Sequence, residues 1–308
     1  MRPNSEYNPA ALRSASPIRR RRRVLALALV AALAVLLVAA TGASADLLSP
    51  ESGGSPNADR IDTLYWLVFA VAVIVFVGVE GLLFYSLFKF RARKGVVPAQ
   101  IRGNTRLEVG WTVGAALILV LLSVFTFAKL GGIRNPDDSA ASGFKGGYVQ
   151  IADSVRRVPA HGKFLNVCVT GQQYIWRYTY APDCNKNNFK AVFSYTEMVV
   201  PTDTTVTLDI YGQDVAHSWW VPKLGGKFDA IPGYVNHTWF KVPGNLAGTV
   251  FRGQCAELCG RNHANMIAQV RAVTPQDFET FLARRKADIK AADVAAEAAR
   301  KQVEKTTP

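Results

Sequence analysis

Between Cys255 and Met266 the chain reads Cys-Ala-Glu-Leu-Cys-Gly-Arg-Asn-His-Ala-Asn-Met. Two thiolates, an imidazole and a thioether this close together form a soft donor set, which suits copper in its lower oxidation state better than a hard cation. Zinc is the second choice, because structural zinc sites draw on Cys, His or carboxylate, whereas a weak Met ligand recurs in copper electron-transfer sites. Cys255, Cys259, His263 and Met266 are spaced three or four residues apart, so a helix or a tight loop keeps all four on one side. A bare Cys-x3-Cys reads equally well as a disulfide or as two small buried residues. His263 and Met266 in the same rhythm favour a metal. Two coppers need one more strong ligand, and His217, in Asp214-Val215-Ala216-His217-Ser218-Trp219-Trp220, sits in an apolar aromatic segment that reads as the end of a strand.

The elements that must hold this loop follow from the rest of the chain. With 308 residues and a net charge of +13, the protein has the balance of a nucleic-acid binder. Its basic residues, however, cluster beside apolar runs and in the two tails, which indicates membrane topology and no nucleic acid. Residues 1–45 have the parts of a signal peptide: the basic run Arg19 to Arg23, the apolar stretch Val24 to Ala40, and Ala43-Ser44-Ala45 as a cleavage site. An uncleaved first membrane helix is the alternative. After a linker, 46–61, a transmembrane helical hairpin is expected over 62–130, with spans at Leu64 to Phe88 and Val109 to Ala128. The basic loop between the spans faces the cytoplasm, so everything after Lys129 lies outside. Glu80, within the first span, reads as a contact with a membrane partner or as a snorkelling acid. Glu108 reads from pattern alone as an acid favoured by a helix N-terminus.

A Gly- and Ser-rich linker, 131–147, leads to a second domain, 148–273. There, segments rich in Val, Thr, Tyr and Phe (164–169, 174–180, 189–195, 206–211, 237–242 and 248–252) predict an antiparallel sandwich or barrel. Cys168 and Cys184, in an exported compartment, are expected to form a disulfide worth about 3 kcal/mol, with two buried free thiols as the alternative. His161 and His237 read as ordinary surface or structural histidines. Thr274-Pro275 opens a C-terminal helical tail, 274–308.

Gly253 to Met266, together with Leu224-Gly225-Gly226-Lys227-Phe228-Asp229-Ala230-Ile231-Pro232-Gly233 after His217, resembles subunit II of the haem-copper cytochrome c oxidases. The resemblance spans about residues 60–285. It implies a membrane-anchored all-β protein: a two-helix transmembrane hairpin, an extracytoplasmic cupredoxin-like Greek-key β-sandwich and a C-terminal helix. It also implies a dinuclear copper (CuA) centre in which Cys255 and Cys259 bridge both coppers. His217 and Met266 would complete one copper, His263 and the Glu257 carbonyl the other. The Glu257 carboxylate would reach a magnesium or manganese ion at the boundary with subunit I. Glu108 falls where the family has a proton-channel entrance. Tyr174 stands where the family has the Trp that receives the electron, and Trp176 matches the second Trp of that segment.

The function implied is electron input to an aa3-type, proton-pumping oxidase in the plasma (inner) membrane. The implied partners are subunits I and III, membrane lipid, and cytochrome c or the cytochrome c domain of a bc complex. Alternatives are a CuA-containing nitric oxide reductase subunit or a copper-binding carrier. A copper-free quinol oxidase subunit disagrees with the intact ligand set.

Overall fold

Helix α1, Pro56–Lys89, begins on a proline, whose fixed φ suits the first helical position and whose missing N–H leaves no orphan donor. Its middle is apolar on every side and exposed, the pattern of a helix that meets lipid rather than water. Helix α2, Thr105–Arg134, starts with a reciprocal cap: the Asn104 side chain accepts from the Leu107 N–H at 3.2 Å, and the Glu108 carboxylate accepts from the Asn104 N–H at 3.1 Å. The computed structural model describes residues 49–92, 95, 97, 99–148, 157–182, 184 and 191–306. The signal peptide expected over 1–45 lies outside the described residues.

Both helices run further than the apolar stretches alone. α1 takes up part of the expected linker 46–61, and α2 continues to Arg134, inside the expected linker 131–147. The β-domain secures these extra turns. Asn57 donates to the Trp239 carbonyl at 2.7 Å, Trp239 Nε1 donates to the Ile133 carbonyl at 2.9 Å, and Arg60 pairs with Asp137 at 2.9 Å.

The β-domain is built from β1 Leu165–Gln172, β2 Ile175–Tyr180, β3 Val192–Tyr195, β4 Glu197–Pro201, β5 Thr205–Gly212, β6 His217–Trp220, β7 Phe228–Ala230, β8 Asn236–Lys241, β9 Val250–Cys255 and β10 Ile267–Val273. They form two five-stranded sheets, ordered β3-β2-β1-β5-β8 and β4-β10-β9-β6-β7. The sandwich is mixed rather than antiparallel, because β1 runs parallel to β5 and β4 parallel to β10. Such pairings join segments distant in sequence, so no hairpin turn announces them. Strand β1 also lacks the polar-out alternation, since its two faces are both buried. Val167, Val169, Tyr178 and Ile210 of one sheet meet Trp219, Phe251 and Val270 of the other in one core. Each such burial is worth about 1.5–3 kcal/mol.

Helix α3, Pro275–Thr306, is capped by Thr274, whose hydroxyl accepts from the Asp277 N–H at 3.2 Å. Its first turns pack Phe278 edge-on against Phe144, with ring centroids 5.1 Å apart, and beyond Lys290 it is exposed. Cys168 of β1 and Cys184 are joined by a disulfide that ties β1 to the segment after β2.

Candidate metal centre

Three strands of one sheet bring the donors together. β6 opens on His217, and Trp219 of the same strand pairs with Cys255 at the end of β9. β9 and β10 are antiparallel neighbours, and the segment joining them carries the remaining donors. Its base is closed by the Cys255 N–H donating to the Met266 carbonyl at 2.9 Å, while the Ala256 N–H donates to Ser218 at 2.9 Å. Of the two shapes the spacing permits, the chain adopts the tight loop, with only a short 3-10 turn at His263–Asn265. Gly253 lets β9 approach β6: a Cβ there would lie 2.0 Å from the Trp220 carbonyl oxygen.

The sulfurs of Cys255 and Cys259 are 3.9 Å apart, far beyond the ~2.05 Å of a disulfide, so both are free thiols. His217 Nδ1 is 3.9 Å from Cys255 Sγ, and His263 Nδ1 is 3.7 Å from Cys259 Sγ. Met266 Sδ stands 3.9 Å from Cys259 Sγ, and the Glu257 carbonyl oxygen 3.3 Å from Cys255 Sγ. These separations are below twice a typical metal–ligand bond of about 2.0–2.3 Å, so neighbouring donors can share an ion. His217 and Met266 are fully buried, and Cys255 and Cys259 nearly so. Two central thiols with one imidazole beside each fit a soft, dinuclear metal group.

Electrostatics prepares the two thiols differently. Burial alone would raise Cys255, but hydrogen bonds from His217 and from the backbone at Glu257 and Ser218 outweigh it and bring the thiol down to about 6. Burial, and then the charge on Cys255, push Cys259 up to about 11. Burial disfavours the imidazolium of His217, yet its contacts with Cys255 and Asp214 raise it overall. Asp214 is held below the usual carboxylate range despite partial burial, by N–H groups of Gln173 and Val215 and by His217.

Asp214 is the residue that pattern reading passed over. Its Oδ1 lies 2.8 Å from His217 Nε2 and its Oδ2 accepts from the Gln173 N–H at 2.7 Å. The signal available was an acid three positions before the candidate ligand His217. Gln173 in turn donates to the Cys259 carbonyl at 2.7 Å. The β1–β2 turn is thereby fastened to the metal loop.

Tyr174 is half-buried on that turn, and its hydroxyl would lie 2.6 Å from a Cβ at Gly260 of the loop. Trp176 is completely buried, edge-on to the His217 ring at 5.9 Å. Glu257 has its side chain exposed. Glu108 is not part of this cluster: it caps α2 at the end opposite Arg134. Cys168 and Cys184 form their own pair, beside buried Asp209. His161 is a surface residue beside Asp138, whereas His237 Nδ1 is 2.7 Å from buried Asp209.

Two family models match. "Cytochrome C oxidase subunit II, transmembrane domain" covers residues 45–129 and "Cytochrome C oxidase subunit II, periplasmic domain" covers residues 165–273. The probable cytochrome c oxidase subunit 2 of Rickettsia bellii is 33% identical over 234 residues, 71% of this chain and 76% of the relative. Cytochrome c oxidase subunit 2 of Cereibacter sphaeroides is 30% identical over 292 residues, 80% of this chain and 87% of the relative. Among solved structures, the periplasmic domain of subunit II of cytochrome oxidase of Bradyrhizobium japonicum is 31% identical, with 41% of this chain and 95% of that one covered and a TM-score of 0.36.

Proposed function

The chain belongs to the cytochrome c oxidase subunit II family, the electron-input subunit of a haem-copper oxidoreductase, and on that premise we propose that it takes electrons one at a time from an extracytoplasmic cytochrome c, or the cytochrome c domain of a bc complex, and passes them to haem in subunit I. The protein is membrane-anchored with an extracytoplasmic domain, and the family's periplasmic domain binds CuA. In our reading α1 and α2 both cross the inner membrane, and the complex is an aa3-type proton pump that also contains subunit III.

The convergence of six donors carries the assignment: His217, Cys255, the Glu257 carbonyl, Cys259, His263 and Met266. Cys255 and Cys259 would hold a copper group at its centre, and His217, Met266, His263 and the Glu257 carbonyl would complete its ligands. A dinuclear copper centre held there supplies a one-electron carrier.

The chain's own residues do the rest. Strands β6, β9 and β10 fix the donors from a packed core, so little rearrangement accompanies a change of charge. Burial of His217, Met266 and Trp219 excludes water. Tyr174 resting on the loop, and Trp176 against the His217 ring, offer a route inward from the surface. The exposed Glu257 carboxylate is available to a magnesium or manganese ion at the boundary with subunit I, and Glu108 to a proton path shared with it.

Turnover of the assembled oxidase with reduced cytochrome c tests this reading. Cys259→Ser should abolish most of the turnover while the haem spectrum of subunit I stays intact. Full turnover in the variant would reject the electron-input site.

A further inference from the structure

Where the two helices meet the β-domain there is a cavity of about 230 Å³. Ile61 of α1, Ile133 of α2, Phe228 and Trp239 make its apolar wall, Arg134 and Arg157 also line it, and among the described lining residues there is no carboxylate. Arg157 donates to the side chain of Asn135, the residue after Arg134, so the two guanidinium groups come from neighbouring points of the wall. The nearby acids are engaged elsewhere: Asp137 by Arg60 at 2.9 Å and Asp209 by His237 at 2.7 Å. The described lining is therefore cationic, and one side of it is apolar.

Its height relative to a bilayer follows from the helices. α1 is apolar from Leu64, and Tyr65, Trp66 and Phe69 form an aromatic cluster with centroids 5.5–5.9 Å apart, the kind of belt that marks a membrane surface. At about 1.5 Å per residue, Ile61 lies about 5 Å beyond the apolar edge of α1, and Ile133 about 8 Å beyond that of α2 at Ala128. The headgroup layer on each side of a bilayer is roughly 5–8 Å thick. The cavity opens at that level.

We propose that this cavity binds the headgroup phosphate of a net-anionic glycerophospholipid, with Arg134 and Arg157 on the phosphate and the acyl chains along the exposed apolar faces of α1 and α2. The inference rests on the reading that both helices cross the membrane. A juxtamembrane cation contributes about fivefold in affinity for anionic lipid, so the two together contribute about 25-fold.

The test uses the full chain in neutral detergent, followed by native mass spectrometry during titration with phosphatidylglycerol, phosphatidylcholine or inorganic phosphate. Phosphatidylglycerol should bind, phosphatidylcholine several-fold more weakly, and R134Q/R157Q should weaken phosphatidylglycerol about 25-fold while R134K/R157K retains it. Circular dichroism of both variants separates a local loss from misfolding. Equal binding of the two lipids, or undiminished binding in R134Q/R157Q, would overturn the proposal. Displacement of lipid by inorganic phosphate at equal concentration would overturn it in favour of a free-phosphate site. Alkaline extraction of native membranes is the separate check on the spanning helices: release of the chain would reject that reading whatever the lipid titration shows.

Discussion

Asp214 Oδ1 lies 2.8 Å from Nε2 of His217, and this contact decides which ring nitrogen faces the thiols. With Nε2 engaged by the carboxylate, Nδ1 is the nitrogen directed at Cys255. Asp214→Asn keeps the shape but removes the charge that orients the ring. Copper affinity should fall roughly 10–100-fold, as for other outer partners of a metal-bound histidine. Competition with a calibrated copper chelator measures it, and unchanged affinity would show that the strands alone position His217.

Copper uptake should release protons and strengthen with rising pH. Cys259, pushed up to about 11, is protonated at neutral pH, and His217 is raised as well. Both must lose a proton to bind metal, so the apparent affinity is weaker at pH 6 than at pH 8. Calorimetry in buffers of different ionisation enthalpy counts the protons. A pH-independent affinity would contradict the protonation pattern described here.

The disulfide between Cys168 and Cys184 closes a loop of sequence separation 16. Replacing both by Ser should cost about 3 kcal/mol of β-domain stability. Thermal unfolding of the full chain in detergent reads the loss. Alkylation of the denatured, copper-free protein without reductant should label the free thiols Cys255 and Cys259 but neither Cys168 nor Cys184, and labelling of all four would remove the cross-link.

Gly253→Ala should weaken the domain and the site together. Its Cβ would meet the Trp220 carbonyl at 2.0 Å and force β9 away from β6, next to the Trp219–Cys255 pair. Overpacking of this kind costs about 1–3 kcal/mol. Unfolding midpoint and retained copper should fall together, whereas a drop in copper alone would place the effect in the loop.

Local chemistry was readable where it lies close together in sequence. Cys255 to Met266 carries four donors in one stretch, and Thr274-Pro275 states a helix start directly. The spans were recognisable from their apolar runs, but their extra turns were not, since Asn57, Arg60 and Ile133 are held by Trp239 and Asp137 from distant parts of the chain. The parallel pairs β1–β5 and β4–β10 were hidden for the same reason. β4, β7 and β10 escaped pattern reading altogether; β7 is only three residues long, Phe228–Ala230. Asp214 was invisible as a partner of His217 because an acid near a turn is usually solvated, and only the fold turns it toward the ring.

Copper stoichiometry with electron paramagnetic resonance on the oxidised full chain, beside Cys259→Ser, is the most direct measurement of the central claim. Two coppers per chain with a delocalised mixed-valence signal, lost in the variant, is the predicted result. One copper with a mononuclear signal, or zinc in its place, would contradict the dinuclear assignment.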